Sequence, residues 1–242
     1  MFSPEGPTLR ELAVQALSSV ERGYDLLAPK FDHTPYRTPD AVLDATGALL
    51  ADIGPYDDGL DLCCGTGAGL GVLGRVCRRS VTGVDFSAGM LTVADPAGAA
   101  GPGPRPALVR ADARALPFTA AFDLVVSFGA LGHFRPAELP RLFRQVHSVL
   151  RPGGVFALPV GAPPRPGSRA SWTLLGFDLV MRVRNAVWRP PFVMYYRAFG
   201  FGDVLRELER AGFRVESYPL PGFGRRDDGS PRARVVAARR LP

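Results

Sequence analysis

The chain has 242 residues, 46% of them hydrophobic, and a formal charge of +6. We expect one domain over residues 37–242, carrying a lid-like insertion at about 161–202, with a small helical cap over residues 1–36. No apolar run approaches the roughly 18 residues of a membrane span, and the opening residues lack a signal-peptide pattern. The chain has three cysteines, two of them adjacent, which disfavours a disulfide framework. We therefore expect a cytoplasmic protein.

The positive charge does not by itself predict a nucleic-acid partner. Lys30 is the only lysine, and the arginines are scattered along the whole chain rather than clustered in one stripe. We therefore expect no nucleic-acid partner.

The N-terminal region is predicted to hold two amphipathic helices. Thr8 and Glu11 have the capping-box spacing, apolar residues follow at helical spacing, and Gly23 ends that run. Residues 24–36 are interpreted as an ordered loop with several aromatic residues. A second helix begins at Thr38-Pro39-Asp40, and its buried stripe is predicted to be Val42, Ala45, Leu49 and Ile53.

Apolar strands then alternate with helices. The predicted strands end at Leu62 and cover residues 81–85, 107–110, 122–128 and 155–160, and a helix over 138–150 turns its apolar stripe toward the sheet. This alternation predicts an α/β fold, a doubly wound, mostly parallel sheet with helices on both faces. A last helix over 203–211 and a hairpin formed by 213–220 and 233–239 add an antiparallel edge, for seven strands in all.

Three acidic residues stand at the ends of successive strands. They are Asp61, Asp85 and Asp112, and Asp61 is followed by a glycine-rich turn through which a backbone can approach a ligand closely. The carboxyl ends of such strands open onto one crevice. Asp85 is placed to accept hydrogen bonds from a ribose diol, and Asp112 from an exocyclic amine such as that of adenine.

With these elements the sequence resembles the class I S-adenosylmethionine-dependent methyltransferases, most closely the small-molecule branch that includes quinone-biosynthesis C-methyltransferases. The resemblance covers roughly residues 36–160 and implies a Rossmann-like fold and S-adenosyl-L-methionine as cofactor. Cys63 departs from the family pattern, which usually has glycine there. The matching segments are Leu60-Asp61-Leu62-Cys63-Cys64-Gly65-Thr66-Gly67, Gly83-Val84-Asp85-Phe86-Ser87, Ala111-Asp112-Ala113, Phe122-Asp123-Leu124-Val125-Val126 and Leu150-Arg151-Pro152-Gly153-Gly154.

The resemblance also implies which positions bind the cofactor. These are Asp61, Cys63, Gly65, Thr66 and Gly67 around the methionine portion, Asp85 on the ribose, Phe86, Met90, Asp112 and Ala113 around the adenine, and Ser127 and Phe128 near the sulfonium.

Methyl transfer is an in-line displacement in which positioning can supply up to roughly 7–11 kcal/mol of the barrier reduction. A general base helps only where the acceptor must lose a proton. His133, in the loop after the fourth strand, and His33, in the N-terminal region, are the candidates, and a purely structural histidine is the alternative for each. No cysteine and histidine cluster has metal-ligand spacing, so no metal is expected.

The composition of the insertion at about 161–202 indicates which class of acceptor the protein binds. Residues 170–188 are apolar around most of a helical circumference, and residues 161–202 together with residues 24–36 are interpreted as a lid over a hydrophobic small-molecule acceptor. A structural cap, a homodimer interface and peripheral membrane contact are the alternatives. The expected function is methyl transfer to oxygen or carbon of a natural product, quinone or lipid-like molecule. A non-methylating binding or cyclisation protein on the same scaffold is the alternative, and an RNA methyltransferase is disfavoured.

Overall fold

The protein is described from a computed structural model. The structure describes residues 20–34, 36–94, 103–162 and 199–241 continuously, together with scattered positions between 5 and 18 and between 164 and 187. Much of the predicted first helix and most of the predicted lid at 161–202 therefore lie outside the described residues.

The centre of the fold is a seven-stranded sheet in the order β3-β2-β1-β4-β5-β7-β6. β1 to β5 are parallel, β7 is antiparallel to β5, and β6 is antiparallel to β7. The predicted fold class is thus confirmed, including the antiparallel edge. The strands are β1 (Tyr56–Leu62), β2 (Cys77–Asp85), β3 (Ala107–Arg110), β4 (Phe122–Val126), β5 (Leu150–Gly161), β6 (Phe213–Pro219) and β7 (Ala233–Arg240).

Helices cover both faces of this sheet. The described α-helices are α1 (Val20–Leu27), α2 (Asp40–Ile53), α3 (Ala68–Val76), α4 (Ala88–Val93), α5 (Leu139–Val149) and α6 (Phe201–Arg210). On β4, Val125 packs into the core beneath α5 and α6, whereas Leu124 and Val126 pack into the core beneath α2 and α3. This alternation buries β4 on both faces, as its apolar sequence predicts. No helix among the described residues is long and apolar enough to cross a membrane.

The structure corrects the N-terminal prediction. Gly23 does not end a helix but lies buried inside α1, and residues 28–33 continue as a 3-10 helix instead of the predicted loop. The buried stripe of α2 is also shifted by one position. Leu43, Thr46, Gly47 and Leu50 are its buried residues, while the predicted stripe lies at the partly buried flank.

Three predicted strand boundaries differ by two residues or more. β4 ends at Val126, two residues before the predicted end at Phe128. β2 begins at Cys77, four residues before the predicted start, because the polar stretch before Val81 pairs with β1. β5 includes the Arg151-Pro152-Gly153-Gly154 segment, which was predicted to lie between helix and strand. The apolar stripe predicted for α5 is confirmed, since Leu139, Leu142, Phe143, Val146 and Val149 are all buried.

Candidate active site

A cavity of about 790 Å³ opens at the carboxyl edge of the parallel strands. The ends of β1, β2 and β4 and the residues after β3 line it, and residues of the N-terminal segment reach it as well. The predicted site residues that line this cavity are Asp61, Cys63, Gly65, Thr66, Asp85, Phe86, Met90, Asp112, Ala113, Phe128 and His133. The three strand-end acids therefore share one cavity.

Asp61 is the most deeply buried of these acids. Its side chain has no hydrogen-bond partner at either carboxyl oxygen within the described part of the chain. Burial, reinforced by the charge of Asp85, raises the pKa of Asp61 well above its usual value. Gly69 makes room for the carboxyl group, because a Cβ there would lie 2.4 Å from Asp61 Oδ2 and 2.7 Å from the Phe128 ring. Asp61 is thus a buried acid that no described residue of the chain hydrogen-bonds.

Asp85 joins two loops that border the cavity. Its Oδ2 accepts a hydrogen bond from the backbone N–H of Gly65 at 2.9 Å, and its Oδ1 accepts one from Ser87 N–H at 2.9 Å. Burial raises the pKa of Asp85, although these backbone donors oppose the shift by stabilising the carboxylate. The acid fixes the glycine-rich turn against the start of α4 while still bordering the cavity.

Asp112 has a different environment because Arg114 grips its carboxylate. Arg114 Nε donates to Oδ1 at 2.9 Å and Nη2 donates to Oδ2 at 2.8 Å. This side-chain pairing lowers the pKa of Asp112 and keeps it ionised. Arg114 also donates to Glu138 at 2.8 Å, so the guanidinium is fixed at the cavity wall.

The glycine-rich turn contains one residue in an unfavourable backbone conformation. Cys63 has φ +58°, which lies in the left-handed region that glycine adopts without cost. Gly65 at +53° and Gly67 at +94° lie in the same region. Cys63, which stands where the family usually has glycine, therefore occupies a position at which any side chain strains the backbone. Burial raises the pKa of the Cys63 thiol well above its usual value, so the thiol stays neutral.

Tyr24 and His133 meet across the cavity wall. The Tyr24 hydroxyl lies 3.2 Å from each ring nitrogen of His133, and the two rings are edge-on with centroids 5.8 Å apart. Tyr24 also meets Phe86 edge-on at 5.7 Å. The α1 tyrosine thus connects the loop after β2 to the loop after β4.

Two carboxylates fasten the N-terminal segment to the cavity loops. Asp25 Oδ1 accepts from the Ser87 hydroxyl at 2.5 Å and from Gly89 N–H at 2.8 Å. The Thr66 hydroxyl donates to Asp32 Oδ1 at 2.7 Å. Helix α1 and the following 3-10 helix are therefore part of the wall of the cavity.

Comparisons with known proteins agree with this geometry. A family model described as a methyltransferase domain matches residues 60–154. The 2-phytyl-1,4-naphtoquinone methyltransferase of Nostoc punctiforme is 36% identical over 175 residues, which cover 66% of this chain and 74% of that protein. The chain belongs to the S-adenosylmethionine-dependent methyltransferase family.

Two further similarities bear on this methyltransferase. An uncharacterized methyltransferase of Synechocystis is 38% identical over 138 residues, covering 57% of this chain and only 61% of that protein's length. The solved magnesium protoporphyrin IX methyltransferase of Synechocystis with bound SAH matches with a TM-score of 0.58 at 20% identity, covering 82% of this chain and 81% of that one. The latter similarity supports the fold.

Three predicted site residues of this methyltransferase do not line the cavity. Gly67 instead precedes α3 as its N-cap, and the Ser127 hydroxyl donates to the backbone oxygen of Leu62 at 2.9 Å. His33 is exposed, and its Nδ1 lies 3.2 Å from Glu5 Oε2. Within the 3-10 helix, Phe31 lines the cavity, whereas the candidate base His33 does not.

The prediction that residues 24–36 cover the acceptor did not single out Tyr24, Asp25 or Asp32, and Arg114 was not predicted at all. The first three lie in the segment that was predicted to be a loop and is helical in the structure. The spacing of Arg114 two residues after Asp112 was the one local signal, since side chains so close after a strand end can pair.

Proposed function

We propose that this protein transfers the methyl group of S-adenosylmethionine to an oxygen or carbon atom of a hydrophobic small molecule. The observation that carries the proposal is the common cavity of Asp61, Asp85 and Asp112 beside a wall of aromatic residues. Its volume of about 790 Å³ lies in the upper part of the range of ligand pockets, roughly 300–1,000 Å³. We infer that the space accommodates an acceptor beside the cofactor.

The residues present fit the cofactor. Asp61 supplies a buried carboxyl group that has no hydrogen-bond partner among the described residues, which suits the cationic amino group of the methionine portion. Asp85, held by two backbone N–H groups, keeps lone pairs for the ribose hydroxyls, and Phe86 and Met90 offer apolar surfaces to the adenine. Because Arg114 occupies much of Asp112, we propose that the Asp112 and Arg114 pair together borders the adenine edge.

The acceptor side is aromatic. Tyr24, Phe31, Tyr36, Phe128 and Phe134 all line the cavity. Such rings favour a flat hydrophobic acceptor through stacking and burial. The named activity of the Nostoc punctiforme relative, on a naphthoquinone, supports an aromatic acceptor of the quinone class.

The bound cofactor would supply an electrophilic methyl group on its sulfonium. The chain's own contribution is to align the acceptor, exclude water and manage one proton. We propose that His133 accepts this proton at a ring nitrogen when the acceptor is a hydroxyl or an acidic carbon. The Tyr24 hydroxyl, 3.2 Å away, orients the imidazole.

Labelled methyl transfer tests this proposal. Purified protein is incubated with methyl-labelled cofactor and a panel of naphthohydroquinones and phenols, and label in the organic phase is counted. For the best acceptor we expect His133→Ala to lower kcat about 100-fold, while His33→Ala keeps the wild-type rate. Tyr24→Phe should lower kcat and shift the pH profile.

Three results would redirect the proposal. If calorimetry shows cofactor binding but no acceptor is labelled, the non-methylating alternative gains support. If His33→Ala loses activity and His133→Ala does not, the assignment of the base is wrong. Labelling of RNA with steep salt dependence would indicate a nucleic-acid substrate instead.

A further inference from the structure

An exposed apolar stripe lies on the segment that follows β5. The described positions between Arg169 and Val187 are helical, and five of them carry large apolar side chains. These side chains are between 54% and 79% exposed, whereas every other exposed large apolar side chain in the described part of the chain is at most 48% exposed. We name this set the apolar ridge, and it consists of Trp172, Leu175, Leu179, Val183 and Val187.

The spacing of the apolar ridge is helical. Its members follow one another at intervals of three or four residues, which places them on one side of a helix. Water-exposed apolar residues scattered singly need no explanation, but a continuous stripe marks an interaction surface. We therefore expect the apolar ridge to be an interaction surface that a partner covers.

Arginine residues border this stripe in the sequence. Residues 169–189 contain four arginines and one aspartate. Arginine stems can lie along apolar surface while the guanidinium reaches a charged layer. An apolar stripe in a segment of net positive charge is typical of a helix that rests in the interface of an anionic bilayer.

The topology connects this segment to the cavity edge. β5 runs parallel to β4 and ends at Gly161, so the chain enters the ridge segment from the edge of the sheet where the cavity lies. A surface here is suitably placed to deliver a hydrophobic molecule to the cavity.

We propose that the apolar ridge docks this protein onto an anionic membrane surface. A second copy of the chain is a poorer occupant, because residues 169–189 carry a net positive charge and pairing two such segments would bring like charges together. The docking is a property additional to methyl transfer and does not depend on it, since it is measured without cofactor.

Vesicle sedimentation tests the docking. The full chain is mixed with vesicles of phosphatidylcholine alone or of phosphatidylcholine and phosphatidylglycerol in equal amounts. We expect binding to the anionic vesicles and a blue shift of Trp172 emission in a Trp188→Phe background. Leu179→Asp should weaken binding at least tenfold, whereas Val93→Asp, which adds the same charge at an exposed valine of α4, should change it little. Each of Arg182→Gln and Arg184→Gln should weaken binding about fivefold.

Several outcomes would overturn the proposal. These are no binding to anionic vesicles, equal loss in Leu179→Asp and Val93→Asp, or a dimer in ultracentrifugation that Leu179→Asp dissociates without any vesicle binding. The milder Leu179→Ser variant is used if Leu179→Asp lowers the thermal midpoint. Cofactor binding by calorimetry, measured in parallel, separates a failure of docking from a failure of the proposed methyl transfer.

Discussion

Asp61 is expected to destabilise the cofactor-free protein at neutral pH. Burial holds the pKa of Asp61 well above its ordinary value of about 3.9, so above that pH the unfolded chain loses a proton that the folded protein keeps. The free energy of unfolding therefore falls by about 1.4 kcal/mol per pH unit until the pKa of the folded state is reached.

The Asp61→Asn variant isolates this effect. Asparagine carries no titrating proton, so the variant should become progressively more stable than the wild type as the pH rises above about 4. Urea unfolding at a series of pH values, without cofactor, measures the difference between the two proteins. Asp57→Asn is the matched control, because Asp57 lies on the same strand with an exposed side chain. A flat difference curve for Asp61→Asn would refute the reasoning.

The same substitution should weaken cofactor binding. Replacing the acid removes the negative partner of the cofactor's amino group, and charge-assisted hydrogen bonds contribute about 1.5–3 kcal/mol, so affinity should fall roughly 10- to 100-fold. In the wild type, binding should release a proton from Asp61 and tighten as the pH rises. Calorimetry with S-adenosylhomocysteine in buffers of different ionisation enthalpy detects that proton. Unchanged affinity in Asp61→Asn would exclude this role.

Three further predictions concern the turn, the N-terminal contact and the opposite end of the sheet. Cys63→Gly should change stability by less than about 1 kcal/mol, whereas Cys63→Val should lower it by about 1–3 kcal/mol in urea unfolding, because a branched side chain is strained at φ +58°; equal stabilities would contradict this. Gly89→Ala should lower both the thermal midpoint and the cofactor affinity, since its Cβ would lie 2.7 Å from Asp25 Cα and push α1 away; intact affinity would show that α1 is dispensable. Asp58→Asn should lower the thermal midpoint most at neutral pH and least in acid. Pairing with Arg79 holds the pKa of Asp58 below its usual value, and the stabilisation from this ion pair is lost as the pH falls below about 4. A loss of stability that does not depend on pH would argue against the ion pair.

The strand-end acids were predictable because their placement follows from local pattern and sheet topology. Alternating strands and helices require a parallel sheet, and in such a sheet Asp61, Asp85 and Asp112 must meet at one edge. The Ser87 cap of α4 was predictable for the same local reason, since its hydroxyl accepts from Met90 N–H.

The N-terminal wall was not predictable in this way. Gly23 reads as a helix stop, yet this preference amounts to only about 1 kcal/mol and is outweighed when tertiary contacts hold the helix. Those contacts are distant in sequence. Asp25 bonds to Ser87 across 62 positions, and Tyr24 meets His133 across 109. The helical period of 3.6 residues and the strand period of 2 residues relate only near neighbours along the chain, so neither of these contacts can be identified from them.

These distant contacts link the aromatic wall of the cavity to the loops after β1 and β2. The segment that brings Tyr24 and Phe31 to the cavity is bonded through Asp32 to Thr66 in the glycine-rich turn. Through Asp25 the same segment is bonded to the start of α4. Asp85 in turn links these two loops to each other. We therefore expect a substitution that displaces either loop to displace Tyr24 as well, and with it the hydroxyl that contacts His133.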